Sequence, residues 1–164
     1  MIWGESGLED VIKIAFQAHS GQVRDDGEPY IIHPVSVALI LVQHGFGDND
    51  HLMSALLHDV VEDTKFTISD LAGYVNYRSL IAIELLTKRK NQTYKDYYNS
   101  IQHSVIAMHV KQADRIHNLR SMEGVWTRKK CLKYIQNTEK DFEGWGFSGS
   151  LGIELKETIE KQGD

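Results

Sequence analysis

The sequence predicts an all-α protein: a single-domain bundle of roughly eight to nine helices. Three observations carry this. Apolar residues recur at helical spacing along most of the chain. The only two prolines, Pro29 and Pro34, lie in one short segment and leave the rest free to be helical. No stretch alternates in the period of a strand.

Leu8, Val11, Ile12, Ala15 and Phe16 form an i, i+3, i+4 stripe, which predicts a helix over 7–19 ending near Gly21. Residues 21–33 are turn-rich, with Asp25, Asp26, Gly27 and Pro29. Pro34 suits the first turn of a second helix, which carries Val37, Ala38, Leu41 and Val42 and stops at Gly45. Asn49 or Asp50 caps a third, with Leu52, Met53, Ala55, Leu56 and Leu57. Thr67 caps a helix over 68–74, and 80–88 and 93–103 are helical. Residues 103–122 make the longest helix, with Val105, Met108, Ile116 and Leu119 on one stripe. C-terminal helices are expected over 127–142 and, after glycines at 144, 146, 149 and 152, over 151–161.

A chain of 164 residues is enough for one core, so 1–164 reads as one domain. Hydrophobic residues make up 41% and charged residues 25%, the balance of a globular protein rather than a disordered one. The net charge of -5 disfavours a partner with a long phosphate backbone, so no nucleic-acid partner is expected. A small anion stays open, because one metal ion can reverse the local field. Cys131 is the single cysteine and cannot form an intrachain disulfide, which fits a reducing compartment. The N-terminus is acidic and unlike a signal peptide, and the longest apolar run, 35–42, falls far short of the ~20 residues that span a bilayer. The expectation is a soluble, cytoplasmic protein with no membrane partner.

Three groups of residues carry chemistry. His58 and Asp59 are followed by Glu62 and Asp63. If the helix runs on, His58 faces Glu62 and Asp59 faces Asp63. Imidazole nitrogen with carboxylate oxygen suits Mn, Fe, Zn or Mg. Taken alone, the run also fits a charged helix end. Asp114, Arg115, His117 and Asn118 lie in the longest helix; taken alone they fit a solvated face. His33 precedes Pro34, which favours extended geometry and a fixed corner between loop and helix. Together, His33, His58, Asp59 and Asp114 offer two nitrogens and two carboxylates to one ion. Glu62 and Asp63 remain for proton transfer. Arg24, Lys88, Lys111 and Arg115 are the cations available to hold an anion. The sequence does not say whether Trp126 and Trp145 line a pocket or pack elsewhere; aromatic residues in a small helical domain are more often core.

Four stretches, AHSGQVRDDGEPYIIHP (18–34), ALLHDVVEDT (55–64), LLTK (85–88) and KQADRIHNLRSM (111–122), occur in this order. They span a motif core of about 15–122, followed by C-terminal helices over 127–162. By these motifs the chain resembles the hydrolase domain of RelA/SpoT homologues, in particular the free-standing small alarmone hydrolases. The resemblance implies an all-helical HD domain holding one divalent ion, usually manganese. It implies that His33, His58, Asp59 and Asp114 are the ligands, that Glu62 and Asp63 are the acidic pair needed for hydrolysis, and that Arg24, Asn118 and Ser121 contact substrate. Lys88 and Lys111 are further candidates for substrate contact. The implied substrates are ppGpp and pppGpp, which lose their 3′-pyrophosphate to give GDP or GTP. No synthetase half is expected, because the chain ends about forty residues after the last motif. One departure bears on the base: Asp25 and Asp26 follow Arg24, where the family often has lysine. An HD phosphatase acting on the NADPH 2′-phosphate or on a nucleoside monophosphate is the competing enzyme. A nucleotide sensor would need a missing ligand or acid, and all six positions are present.

Overall fold

In the computed structural model, which describes residues 7–163, the N-terminal apolar stripe forms helix α1 (Leu8–Ala18). Val11, Ile14 and Ala15 are its buried residues, whereas Ile12 and Phe16 are exposed. The acidic N-terminal stretch lies, over 1–6, outside the described residues.

His33 departs from expectation. It is not at an extended corner but inside the first turn of α2 (Ile32–Gln43). Pro34 is the third residue of that helix, where its missing N–H breaks no helical bond. The His33 N–H donates to the Tyr30 carbonyl (2.9 Å), and both His33 and Pro34 are buried. Tertiary packing here overrides the local preference of a residue before proline.

Helix α3 (Asn49–Leu57) is capped by Asp48, one residue earlier than expected, through the His51 N–H. It does not run on through the acidic stretch. A turn at His58 and Asp59 separates it from the four-residue α4 (Val60–Asp63). Short α5 (Ile68–Leu71) opens with a Thr67–Asp70 capping box, as the threonine suggests. Asn76, Thr93, Ser104 and Thr127 cap α6 (Tyr77–Leu86), α7 (Tyr94–Ile101), α8 (Val105–Ser121) and α9 (Arg128–Phe142). Each such cap contributes ~0.5–2 kcal/mol. A 3₁₀ turn (Glu143–Trp145) leads to α10 (Gly149–Gly163). The described residues thus hold ten α-helices, two of them single turns, and one isolated antiparallel bridge, Val23–Pro29.

Two apolar clusters hold the bundle. The larger joins α2, α8, α9 and α10 through residues such as Leu41, Ile116, Phe142 and Leu155. The smaller joins α1, α3 and α6 through Val11, Leu57 and Ile83. Helices α2 and α3 pack against each other and both against α8. His33 therefore begins one central helix, His58 follows the end of the second, and Asp114 lies within the third. That arrangement brings three distant parts of the chain to one point.

The approach of α10 to α8 gives a stability prediction. A Cβ at Gly152 would lie 2.9 Å from the Phe147 carbonyl carbon and 3.5 Å from Gln112 Nε2. Gly152→Ala gains ~1 kcal/mol of helix propensity. Overpacking against backbone costs ~1–3 kcal/mol. The net expectation is a loss of stability in urea unfolding; a variant more stable than the parent would contradict this packing.

Candidate active site

His33, His58 and Asp114 each bring one ligand-capable atom within 4.8 Å of the others. His33 Nε2 lies 3.1 Å from Asp114 Oδ1, and His58 Nε2 lies 3.8 Å from the same oxygen. Asp59 stands at the edge of this group. Its Oδ2 is 3.1 Å from His58 Nε2 and 3.5 Å from His33 Nε2.

The tautomer of His58 is set by its neighbour. Its Nδ1–H donates to the Ala55 carbonyl (2.7 Å), so a neutral ring carries its lone pair on Nε2. That Nε2 is buried and, although close to Asp59, is not aligned for a hydrogen bond with any described residue. A buried imidazole nitrogen of this kind, aimed at two carboxylates, fits a divalent cation. The charges agree. Burial alone would lower His58, but Asp59 and Asp114 outweigh it and lift the ring to about 10. Burial alone would raise the carboxyls; His58 and His33 hold Asp59, and Lys111 and His33 hold Asp114, well below the usual range. The cluster attracts positive charge, whether a proton or a metal ion.

Further side chains fix these groups. Asp114 accepts from Lys111 Nζ through Oδ2 and from Asn118 Nδ2 through Oδ1, both at 2.8 Å. His33 Nδ1 and His117 Nδ1 are 2.8 Å apart, so one donates and the other accepts. Burial, then the nearby His33 and Arg24, push His117 down to about 4. A neutral His117 can accept from His33 Nδ1–H, which leaves His33 Nε2 free to ligate.

Tyr30 is the residue that spacing misses. Its hydroxyl donates to Asp59 Oδ2 (2.7 Å) and lies 3.2 Å from Asp63 Oδ2. Burial and then the Asp59 charge push it well up, so it remains a donor. Its only signal in the sequence is its place in PYIIHP, three residues before His33. Burial and then Asp59 raise the Asp63 carboxyl, as suits a group that exchanges a proton. Glu62 faces a different neighbour: its Oε2 accepts the Lys88 main-chain N–H (2.9 Å).

The expected anion-holding cations separate. Arg24 turns toward α8 and donates to Asn118 Oδ1 (2.9 Å) and Ser121 Oγ (3.2 Å). Lys111 is committed to Asp114. The Lys88 ammonium lies 4.9 Å from the Tyr94 ring centroid. Arg115 lies elsewhere: it is buried against the Tyr98 hydroxyl, Thr138 (2.9 Å) and Asp141 (3.5 Å), and its guanidinium covers the Tyr134 ring. There it lines a cavity of ≈ 770 Å³ between α7, α9 and the 3₁₀ turn.

A smaller cavity of ≈ 210 Å³ lies by Arg24 and Ser121, with Val23, Tyr30, Val125 and Trp126. Trp126 both lines this cavity and packs against the larger apolar cluster. Its indole N–H donates to Asp25 Oδ2 (2.6 Å), which also accepts from Lys130 Nζ (3.0 Å). Lys130, then Trp126, hold the Asp25 carboxyl below its ordinary range. Trp145 packs against Phe142 and Tyr98 and lines the larger cavity.

Comparison with known families now bears on these residues. The description of the HD domain matches residues 12–140, which include every member of the cluster. The chain belongs to the HD-domain family. Within it, 126 residues are 36% identical to the bifunctional (p)ppGpp synthase/hydrolase SpoT of Escherichia coli K12, covering 70% of this chain and 18% of that protein. The bifunctional (p)ppGpp synthase/hydrolase RelA of Mycobacterium tuberculosis is 32% identical over 141 residues, 80% of this chain and 19% of its own length. The chain thus spans about a fifth of the length of these relatives. A solved structure, described as a metazoan ortholog of SpoT that hydrolyses ppGpp and plays a role in starvation responses, superposes with a TM-score of 0.83. The match covers 95% of each chain at 26% identity. Among the described residues, no helix is long and apolar enough to cross a membrane.

Proposed function

We propose that this HD domain is a manganese-dependent hydrolase that removes the 3′-pyrophosphate of ppGpp and pppGpp, giving GDP or GTP. The observation that carries the reading is the convergence of His33, His58, Asp59 and Asp114 around one buried point. The likeness over 95% of both chains to a ppGpp-hydrolysing protein supports the choice of substrate.

His33, His58, Asp59 and Asp114 would hold the ion, and Asn118 and Lys111 would keep Asp114 in place. A divalent ion bound there supplies Lewis acidity toward water and a phosphoryl oxygen. Asp63 and Glu62, at the rim, place the attacking water and accept its proton. Tyr30 holds Asp59 and Asp63 in register through one hydroxyl. Arg24, Asn118 and Ser121 form one polar surface beside Asp114 and present donors to phosphate or ribose. The bond from the ribose 3′ oxygen to phosphorus breaks, water supplies the new oxygen on phosphorus, and the 3′ oxygen leaves protonated.

A timed assay on ppGpp decides the matter, reading GDP and pyrophosphate with manganese and again after chelation. GDP and pyrophosphate in equal amounts, lost with chelator and restored by added manganese, are expected. A manganese-loaded protein that leaves ppGpp intact overturns the reading. So does turnover unaffected by chelation.

A further inference from the structure

We propose that the cavity between α7, α9 and the 3₁₀ turn is a second binding site, suited to a nucleoside phosphate and separate from the metal cluster. It stands independently of the hydrolase reading. The two helices line it at helical spacing, with Tyr94 and Tyr98 from α7 and Tyr134, Asn137 and Asp141 from α9. Trp145 of the turn joins them, its ring centroid 5.8 Å from that of Tyr98. At ≈ 770 Å³ the space falls within the ~300–1,000 Å³ of small-ligand sites.

A buried cation contributes to the lining. Arg115 is 7% exposed. Its Nη1 donates to Thr138 Oγ1 (2.9 Å), and its Nη2 to the Tyr98 hydroxyl and, at 3.5 Å, to Asp141. Its Nε is buried with no hydrogen-bond partner among the described residues, and so is the indole Nε1 of Trp145. Both nitrogens only donate, so an acceptor is what each lacks. Lys95 and Lys140 are exposed at the cavity, one on each helix, and neither forms a hydrogen bond or ion pair with a described residue. With Arg115 they set three cations against the carboxylates of Asp141 and Glu143, in a chain of net charge -5. The local field favours an anion.

A nucleoside phosphate matches these features together. Its base offers a flat face to the tyrosine and tryptophan rings, a contact open to any base. Its ring nitrogens and carbonyls are the acceptors that the unpartnered donors lack. The amides of Asn99, Gln102 and Asn137 both donate and accept, as the edge of a base requires. The phosphate suits the two lysines. An aliphatic anion would leave the rings unused, and a neutral aromatic compound would leave the lysines unused. The helix itself separates this cavity from the metal cluster. Arg115 directly follows Asp114 on α8, and at 3.6 residues per turn their side chains diverge by ~100°. Asp114 therefore faces His33 while Arg115 faces α7 and α9.

The test is calorimetric titration of AMP and GMP into the protein with chelator present, so that no metal ion at the cluster takes part. Saturable binding of both is expected, with adenosine and inorganic phosphate each binding more weakly than AMP. Tyr94→Ala should weaken AMP about 5- to 150-fold, the worth of one base–aromatic stack. Lys140→Ala should weaken AMP and leave adenosine unchanged. Both positions are exposed, and circular dichroism checks that the variants fold. Arg24→Ala, beside the metal cluster, should leave the affinity for AMP unchanged. Failure of both nucleotides to bind overturns the proposal. So does AMP binding that survives both cavity substitutions, or that Arg24→Ala removes, since the nucleotide would then lie beside the cluster. A protein that binds AMP in this way and releases no pyrophosphate from ppGpp would sink the hydrolase reading and leave this one standing.

Discussion

His58→Ala is expected to abolish both manganese binding and release of pyrophosphate from ppGpp. The ring is buried, its Nδ1–H is held by the Ala55 carbonyl, and its Nε2 faces Asp59 and Asp114 with no aligned hydrogen-bond partner. Loss of an outer-shell partner costs a metal site about 10–100-fold in affinity. Loss of the ligand atom itself should cost more. Melting provides a readout independent of turnover. A ligand at about 100 times its dissociation constant adds about 2.7 kcal/mol to the stability of the state that binds it. For a chain of this length that is a rise in Tm of about 5–10 °C. The parent should show the rise with manganese and His58→Ala should not. Asp59→Ala should behave alike, with the added loss of the acceptor for the Tyr30 hydroxyl. If His58→Ala took up manganese and cleaved ppGpp at the normal rate, the cluster would not be the metal site.

Much of this was legible in the sequence, and the parts that were not share a cause. Caps are local: Thr67, Thr93 and Thr127 each accept the N–H three residues on, so their helix starts could be read from neighbouring residues. The cluster residues were legible because histidine and carboxylate side by side are chemically unusual, and because the stretches around them resemble a family. His33 was named as a candidate ligand, but its local geometry was misplaced. A two-residue preference points to an extended corner, while the packing of α2 against α3 and α8 makes it helical. The continuous helix that would pair His58 with Glu62 also fails, because the chain turns at His58–Asp59. Tyr30 meets Asp59 across 29 positions, and Trp126 meets Asp25 across 101. Periodicity says nothing about such pairs.

That turn also sharpens the largest expected loss of rate without loss of metal. Glu62→Gln should bind manganese as the parent does and lower kcat by about 10²–10⁴-fold, the contribution of a positioned acid or base. The substitution is conservative in structure, because the glutamine carbonyl can still accept the Lys88 N–H that the carboxylate now accepts at 2.9 Å. What it removes is the charge and the ability to take a proton. Asp63→Asn is the partner experiment. Asp63 shares the Tyr30 hydroxyl with Asp59, and burial followed by the Asp59 charge raises its carboxyl. The asparagine oxygen can still accept from Tyr30, so here too the fold and the metal should survive. The split between the two variants assigns the roles. A proton-handling residue lowers kcat with little change in KM, whereas a residue that only orders the Lys88 loop changes KM as well. Glu62→Gln retaining kcat within threefold at full manganese occupancy would remove Glu62 from the chemistry and leave Asp63, tied to the cluster through Tyr30, as the acid–base group.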